Sequence, residues 1–181
     1  MSRKLKNNEL GRIDIEEYKT SEKMPVILVL DNIRSLNNIG SMFRTSDGFR
    51  LEAVYLCGIT AKPPHRDIQK TALGATDSVN WKYFDSTMDA IKQLKEDEFI
   101  IASIEQVENS VMLHDFKPEK DKKYALVVGN EVKGVEQEVV TASDVCLEIP
   151  QFGTKHSFNV TISAGIVLWD ICSKLNFSDI K

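Results

Sequence analysis

An α/β fold built on a largely parallel sheet is what this sequence predicts, and three observations predict it. Short continuous apolar runs recur along the chain, each ends in Gly, Pro, Ser or a polar loop, and stretches of helical period lie between them. An apolar run of strand length without polar alternation suits a strand buried on both faces, as in a parallel sheet covered by helices. Residues 1–23 mix charged and polar residues with few apolar ones and read as a polar N-terminal arm, followed by a domain over 24–181. Pro25 then introduces Val26-Ile27-Leu28-Val29-Leu30, the first strand. A helix follows over Ile39–Phe49, then a strand at Ala53–Leu56 and a loop from Gly58 to Arg66 that contains Pro63-Pro64. Ser86 is placed to cap a helix to Leu94, with Met88, Ile91 and Leu94 three apart. Strands at Phe99–Ala102 and Tyr124–Val128 are separated by an irregular segment, Val107–Lys123. A helix over Val135–Thr141, a strand over Val145–Ile149 and a long final helix over Asn159–Leu175 complete the order.

With 181 residues, 42% hydrophobic and 28% charged, the chain is long enough to bury one substantial core and too apolar for a disordered tail. Cys57, Cys146 and Cys172 are odd in number, widely spaced and flanked by aliphatic residues, so buried thiols are expected rather than disulfides or a metal site. His65, His114 and His156 have no neighbour at metal-ligand spacing, so no metal is expected. No apolar run reaches the roughly 18–20 residues of a membrane helix, and the first residues lack a signal-peptide apolar region, so the expectation is a cytoplasmic protein with no membrane partner. The net charge of −4 argues against RNA or DNA binding by bulk electrostatics; a nucleic-acid partner requires a local basic surface. Candidates are Arg3, Lys4, Lys6 and Arg12 in the arm, Arg34, and Lys62, His65 and Arg66 in the Pro-Pro loop.

Three segments carry the chemistry. In Leu30 to Phe49 a strand ends, a polar loop follows, Asn38 stands where a helix N-cap belongs, and Arg44 falls six residues later. An N-cap with a surface arginine accounts for that pair taken alone. In Val127-Val128-Gly129-Asn130-Glu131-Val132-Lys133-Gly134 a buried strand opens into a turn in which Gly129 lets backbone come close to a ligand and Glu131 projects from the strand end. An ordinary strand-to-helix turn fits too, while the glycine spacing of dinucleotide-binding and Walker loops is absent. In Ile149-Pro150 to Ile166, Ser157 and Asn159 introduce the last helix, and Ser163-Ala164-Gly165 leaves room for a closely packed neighbour. Ser157 beside His156 is no hydrolytic pair, because adjacent side chains rarely meet and no acid accompanies them.

Together and in this order the segments resemble the signature motifs of the SpoU (TrmH-like) branch of the SPOUT RNA methyltransferases, over about residues 24–175. The matching features are Asn38-x-Gly40 with Arg44, then Gly129-Asn130-Glu131-x-x-Gly134, then Ile149-Pro150 with Ser157-x-Asn159-Val160. The resemblance implies methyl transfer from S-adenosylmethionine to a ribose 2′-hydroxyl of structured RNA, tRNA favoured over rRNA, by a homodimer. It also implies an α/β sheet whose C-terminal segment threads a deep trefoil knot, which a general rule against knots would exclude. Arg44, Asn38, Glu131, Ser157 and Asn159 match the family's catalytic positions. Ser103, Gly129, Ile149 and Phe158 match its cofactor-binding positions, with Phe158 standing where Leu is usual. A knotted RNA-binding protein without catalysis is the competing reading, and it would need one of Arg44, Glu131 or Asn159 to be missing. A dimer agrees with the last helix, which carries Ile162, Ile166, Val167, Trp169 and Ile171 around much of its circumference.

Overall fold

The apolar run after Pro25 lies deep inside the sheet, bonded to a parallel neighbour on each side. The computed structural model describes residues 2–175; Met1 and positions 176–181 of the predicted arm and domain lie outside the described residues. The chain forms α1 (Ile15–Thr20), β1 (Met24–Asp31), α2 (Leu36–Gly48), β2 (Leu51–Cys57), α3 (Arg66–Ala72), α4 (Ala75–Ser78) and β3 (Trp81–Phe84). It continues through α5 (Thr87–Glu96), β4 (Phe99–Ile104), β5 (Val111–Met112), β6 (Lys123–Val128), α6 (Gln137–Ala142), β7 (Val145–Glu148) and α7 (Val160–Lys174). The strand order is β3-β2-β1-β6-β4-β7-β5, and every named pair is parallel. All carboxyl ends therefore leave the sheet at one edge, where parallel α/β folds gather their ligand loops.

Alternate residues of β1 serve opposite faces, as the period of two requires. Val26, Leu28 and Leu30 pack with Ile39, Met42 and Phe43 of α2, Ile68 of α3, and Val167, Leu168 and Ile171 of α7. Ile27 and Val29 pack with Ala90, Ile91 and Leu94 of α5 and Val139 of α6. Each fully buried Leu or Ile contributes about 1.5–3 kcal/mol, so the two cores together hold the helices on both faces. Lys174 closes α7 onto the β5 segment: its Nζ donates to the carbonyls of Leu113 (2.9 Å) and Phe116 (2.8 Å) and pairs with Asp170 at 2.6 Å.

Several local expectations are corrected. The polar arm contains α1, capped by Asp14, and its Tyr18 is buried in the core; the lone aromatic among charges carried too little periodicity to announce a helix. The helix expected at Ile39 starts at Leu36, because Ser35 caps it by accepting from the Asn38 N–H at 3.3 Å. Asn38 is thus inside the first turn and its side chain is free for another role. Beyond the Pro-Pro loop, His65 caps α3, its Nδ1 accepting from Asp67 N at 3.2 Å. The edge strand β3 has no buried residue, and β5 is two residues long within the segment read as irregular, so neither shows an apolar run. Helix α6 begins at Gln137, two residues after Val135. Cys57 and Cys172 are buried as expected, but Cys146 is half-buried; all three are free. A side chain at Gly165 would meet nothing within 4 Å, so among the described residues no segment packs closely there.

Candidate active site

The glutamate at the end of β6 ties two of the three sequence segments together. Because β6 pairs with β1, the turn after β6 lies beside the loop after β1. Glu131 Oε2 accepts from Arg34 N at 3.0 Å, and Oε1 accepts from Ser35 N at 3.0 Å and from Asn38 Nδ2 at 2.8 Å. Burial pulls the Glu131 carboxyl up, but the bonds from Arg34 N, the Asn38 amide and Ser35 N outweigh it and leave the group below the usual carboxylate range. Gly129 is needed for its own turn: a Cβ there would run into the backbone of Gly134 and Val135. The close approach predicted at Gly129 is therefore made by the protein itself.

Residues that sequence reasoning missed complete the junction. Buried Asp31 accepts from Thr87 Oγ1 at 2.5 Å and from Glu136 N at 2.8 Å. Asn32 sits at φ 55°, a conformation that asparagine tolerates better than most residues, and donates to Glu136 Oε1 at 2.8 Å while accepting from Ile59 N at 3.1 Å. Its carbonyl accepts from Asn130 Nδ2 at 2.7 Å. Glu136 is shifted upward by burial and by the neighbouring Asp31 and Glu138. The only advance signal was a polar Asp-Asn pair directly after an apolar strand.

The third segment walls a separate crevice of about 130 Å3 at the ends of β4 and β7, lined by Ile104, Glu105, Gln106, Leu147, Glu148, Ile149, Gln151, His156, Ser157, Phe158 and Ser163. Ile149, Ser157 and Phe158 thus come together on one crevice. Ser103 does not join them: it is buried and its Oγ shares a 2.7 Å hydrogen bond with Ser143 Oγ, because alternation along β4 turns it to the α6 side. Gly129 does not line the crevice either. Glu105 bridges crevice and turn, accepting from Gln106 N (3.0 Å) and Val135 N (2.9 Å). Asn159 caps α7, accepting from Thr161 N at 2.9 Å and Thr161 Oγ1 at 2.5 Å. The crevice combines apolar walls suited to a purine with the carboxylates of Glu105 and Glu148, suited to cationic groups. These groups suit the adenine, ammonium and sulfonium of S-adenosylmethionine but not its carboxylate, and at about 130 Å3 the crevice takes only part of that cofactor.

Arg44 lies elsewhere. It is exposed on α2 and lines a groove against the N-terminal arm, not the crevice. Of the basic candidates, Arg3 is held by Glu9 at 2.7 Å and Lys62 lies over the Tyr83 ring at 4.2 Å. No group of His, Cys, Asp and Glu among the described residues could hold a metal ion.

The pattern of the SpoU rRNA methylase family matches residues 25–169, spanning all three segments. The chain belongs to this family. It is 31% identical over 144 residues to the 23S rRNA (guanosine-2′-O-)-methyltransferase RlmB of Neisseria meningitidis, covering 80% of this chain and 56% of that protein. Across three curated relatives the chain spans 56–69% of their length. Its fold is similar to the TrmH/SpoU tRNA modifying enzyme of A. aeolicus, with a TM-score of 0.78 at 24% identity over 88% of this chain and 80% of the other. It is also similar to an AdoMet-bound rRNA methyltransferase from Sinorhizobium meliloti, with a TM-score of 0.77 at 22% identity over 90% and 60%. These likenesses establish the SpoU-type fold, and family membership places the chain among RNA methyltransferases.

Proposed function

We propose that this SpoU family member is a cytoplasmic S-adenosylmethionine-dependent methyltransferase acting on a ribose 2′-hydroxyl of structured RNA, with tRNA the favoured substrate. The observation that carries the reading is the Glu131 carboxylate, which draws the first and second motifs into one polar junction. The bound cofactor supplies a methyl group already activated by its sulfonium. The protein then has to hold the ribose oxygen in line with that methyl and accept the hydroxyl proton. Ile149 and Phe158 would flank the adenine, and Glu105 and Glu148 would face the cationic portion. Glu131 and Asn38 hold the loop after β1 in place for the RNA. Arg44 orients the ribose hydroxyl; a guanidinium keeps its proton near neutral pH, so positioning is the role assigned to it. A trefoil knot formed around the Pro150–Asn159 loop belongs to the same reading.

A homodimer is part of the proposal. Ile162 and Trp169 are exposed on α7 and Ile166 is half-buried between them, a stripe at helical spacing that a second copy would cover. Arg44 and the crevice do not share a cavity within one chain, and pairing of two copies is the arrangement in which one protomer's arginine serves the other's cofactor. Incubation of the purified chain with isotopically labelled S-adenosylmethionine and tRNA or rRNA, followed by mapping of 2′-O-methylation at nucleotide resolution, tests the activity. Label appearing on a single ribose is the expected result; no transfer to any RNA would overturn it. Sedimentation at low concentration as a monomer would remove the dimer.

A further inference from the structure

We infer that Glu105, which lies outside all three motif segments, is a positioning residue for methyl transfer: it fixes the Gly129–Gly134 turn, and with it Glu131, against the wall of the cofactor crevice. The inference rests on the RNA-methyltransferase reading and adds to it the element that keeps the RNA side and the cofactor side in register. In the sheet β4 lies between β6 and β7, so the residues after β4 emerge between the turn of the second motif and the loop of the third. Glu105 N donates to the Leu147 carbonyl of β7 at 3.1 Å, while its side chain crosses to the other neighbour. Oε1 accepts from Gln106 N at 3.0 Å, which orients the carboxylate, and Oε2 accepts from Val135 N at 2.9 Å, 30 residues along the chain. Gln106 reaches the opposite way, donating from Nε2 to the His156 carbonyl at 3.2 Å. Two consecutive residues thus hold both loops.

The second motif is shaped around this contact. Gly134 has φ 72°, and a Cβ there would run into the Glu105 carboxylate, so the last glycine of Gly129-Asn130-Glu131-x-x-Gly134 makes room for Glu105 as well as closing the turn. From Gly134 the path to the RNA side is short. Gly134 and Asn130 exchange main-chain hydrogen bonds of 2.9 Å, and Glu131 between them holds Arg34 N, Ser35 N and the Asn38 amide. On its other flank Glu105, half-buried, lines the crevice with Ile149 and Phe158. In-line transfer tolerates little misplacement, since an error of about 1 Å costs about a hundredfold in rate. A carboxylate anchored by main-chain donors between the two loops is the kind of supporting contact that holds such a geometry. The same side chain also brings a negative charge to the crevice, so the test has to separate its reach from its charge.

The test uses the full-length chain, labelled S-adenosylmethionine and unmodified tRNA and rRNA transcripts, with single-turnover rates read at saturating cofactor and RNA. Glu105→Asp keeps the charge and draws the carboxylate back from Val135; it is expected to lower the rate about thirtyfold with cofactor affinity within about twofold of wild type. Glu105→Gln loses the charge and keeps an oxygen for Val135 N; it should cost only about threefold in rate while weakening cofactor binding more than Glu105→Asp does. The Glu105→Asp/Glu131→Gln double variant should lie within about twofold of the slower single variant, because both residues act on one turn, whereas independent roles would multiply. With no cofactor present, amide exchange at Arg34, Ser35 and Val135 should quicken about tenfold in Glu105→Asp and stay at the wild-type rate across α7. A wild-type rate in Glu105→Asp, a slower Glu105→Gln than Glu105→Asp, or losses that multiply in the double variant, in a chain that methylates RNA, would overturn this inference alone. A wild-type chain that transfers no methyl to RNA would overturn the proposed function and this inference with it.

Discussion

The Gly129–Gly134 turn and the Pro150–Asn159 segment follow β6 and β7, the two neighbours of β4, yet they are tied to the protein very differently. The first is closed on itself: Asn130 and Gly134 exchange main-chain hydrogen bonds of 2.9 Å, and Glu131 anchors two main-chain donors from the loop after β1 and the Asn38 amide in the first turn of α2. In the second, the N–H groups from Gln151 to Asn159 donate to no acceptor among the described residues, and Phe152 is 97% exposed. Among the described residues, its one side-chain hydrogen bond to the body runs from Gln106 to the His156 carbonyl. One loop has its polar groups satisfied before any ligand arrives. The other holds a row of unspent donors facing water beside the crevice, which suits a segment whose order depends on what it binds.

The largest expected effect lies outside both loops and calibrates the comparison. Arg44→Ala should lower methyl transfer by about two orders of magnitude or more while cofactor affinity stays within about twofold, measured by single-turnover kinetics and calorimetry. Near-normal turnover would remove Arg44 from the chemistry. Gly129→Ala attacks the closed turn directly, because the added methyl meets the Gly134–Val135 backbone, and should cost about 2 kcal/mol and several degrees of melting temperature. An unchanged melting curve would show that the turn is not rigid.

Addition of S-adenosylmethionine should then slow amide hydrogen exchange across residues 151–158 about tenfold and leave 130–135 unchanged. Equal protection of both loops would show that the two are equally ordered before the cofactor binds. The smallest effect is electrostatic. Glu131→Gln should destabilise by roughly 1 kcal/mol near neutral pH, discounted for solvent exposure. The folded carboxyl lies below its unfolded value of about 4.3, so the contribution is fully present above that pH and is lost as pH falls through the lower folded value. Wild type and variant should therefore converge in acid urea titrations, and a difference that persists at low pH would show that the charge is not its source.

The parallel α/β class, the strands around Val26–Leu30 and Tyr124–Val128, the Ser86 and Asn159 caps and the three motif segments could all be read from residues close together in the chain. Such features depend on local physics: two-residue and 3.6-residue periods, capping side chains, and glycines where backbone must crowd. What the folded chain alone decided is which distant groups meet. Asn38 looked like a cap and instead binds a glutamate 93 residues away, because β6 lies against β1. Ser103 looked like a cofactor residue and turns to Ser143, because its place in the pleat of β4 sets its side. Tyr18 looked like part of a polar arm and reaches the core with its hydroxyl unpaired. Strand order, pleat phase and the packing of a short helix onto a sheet are long-range outcomes, set by the burial of the whole apolar surface at once rather than by any window of neighbouring residues.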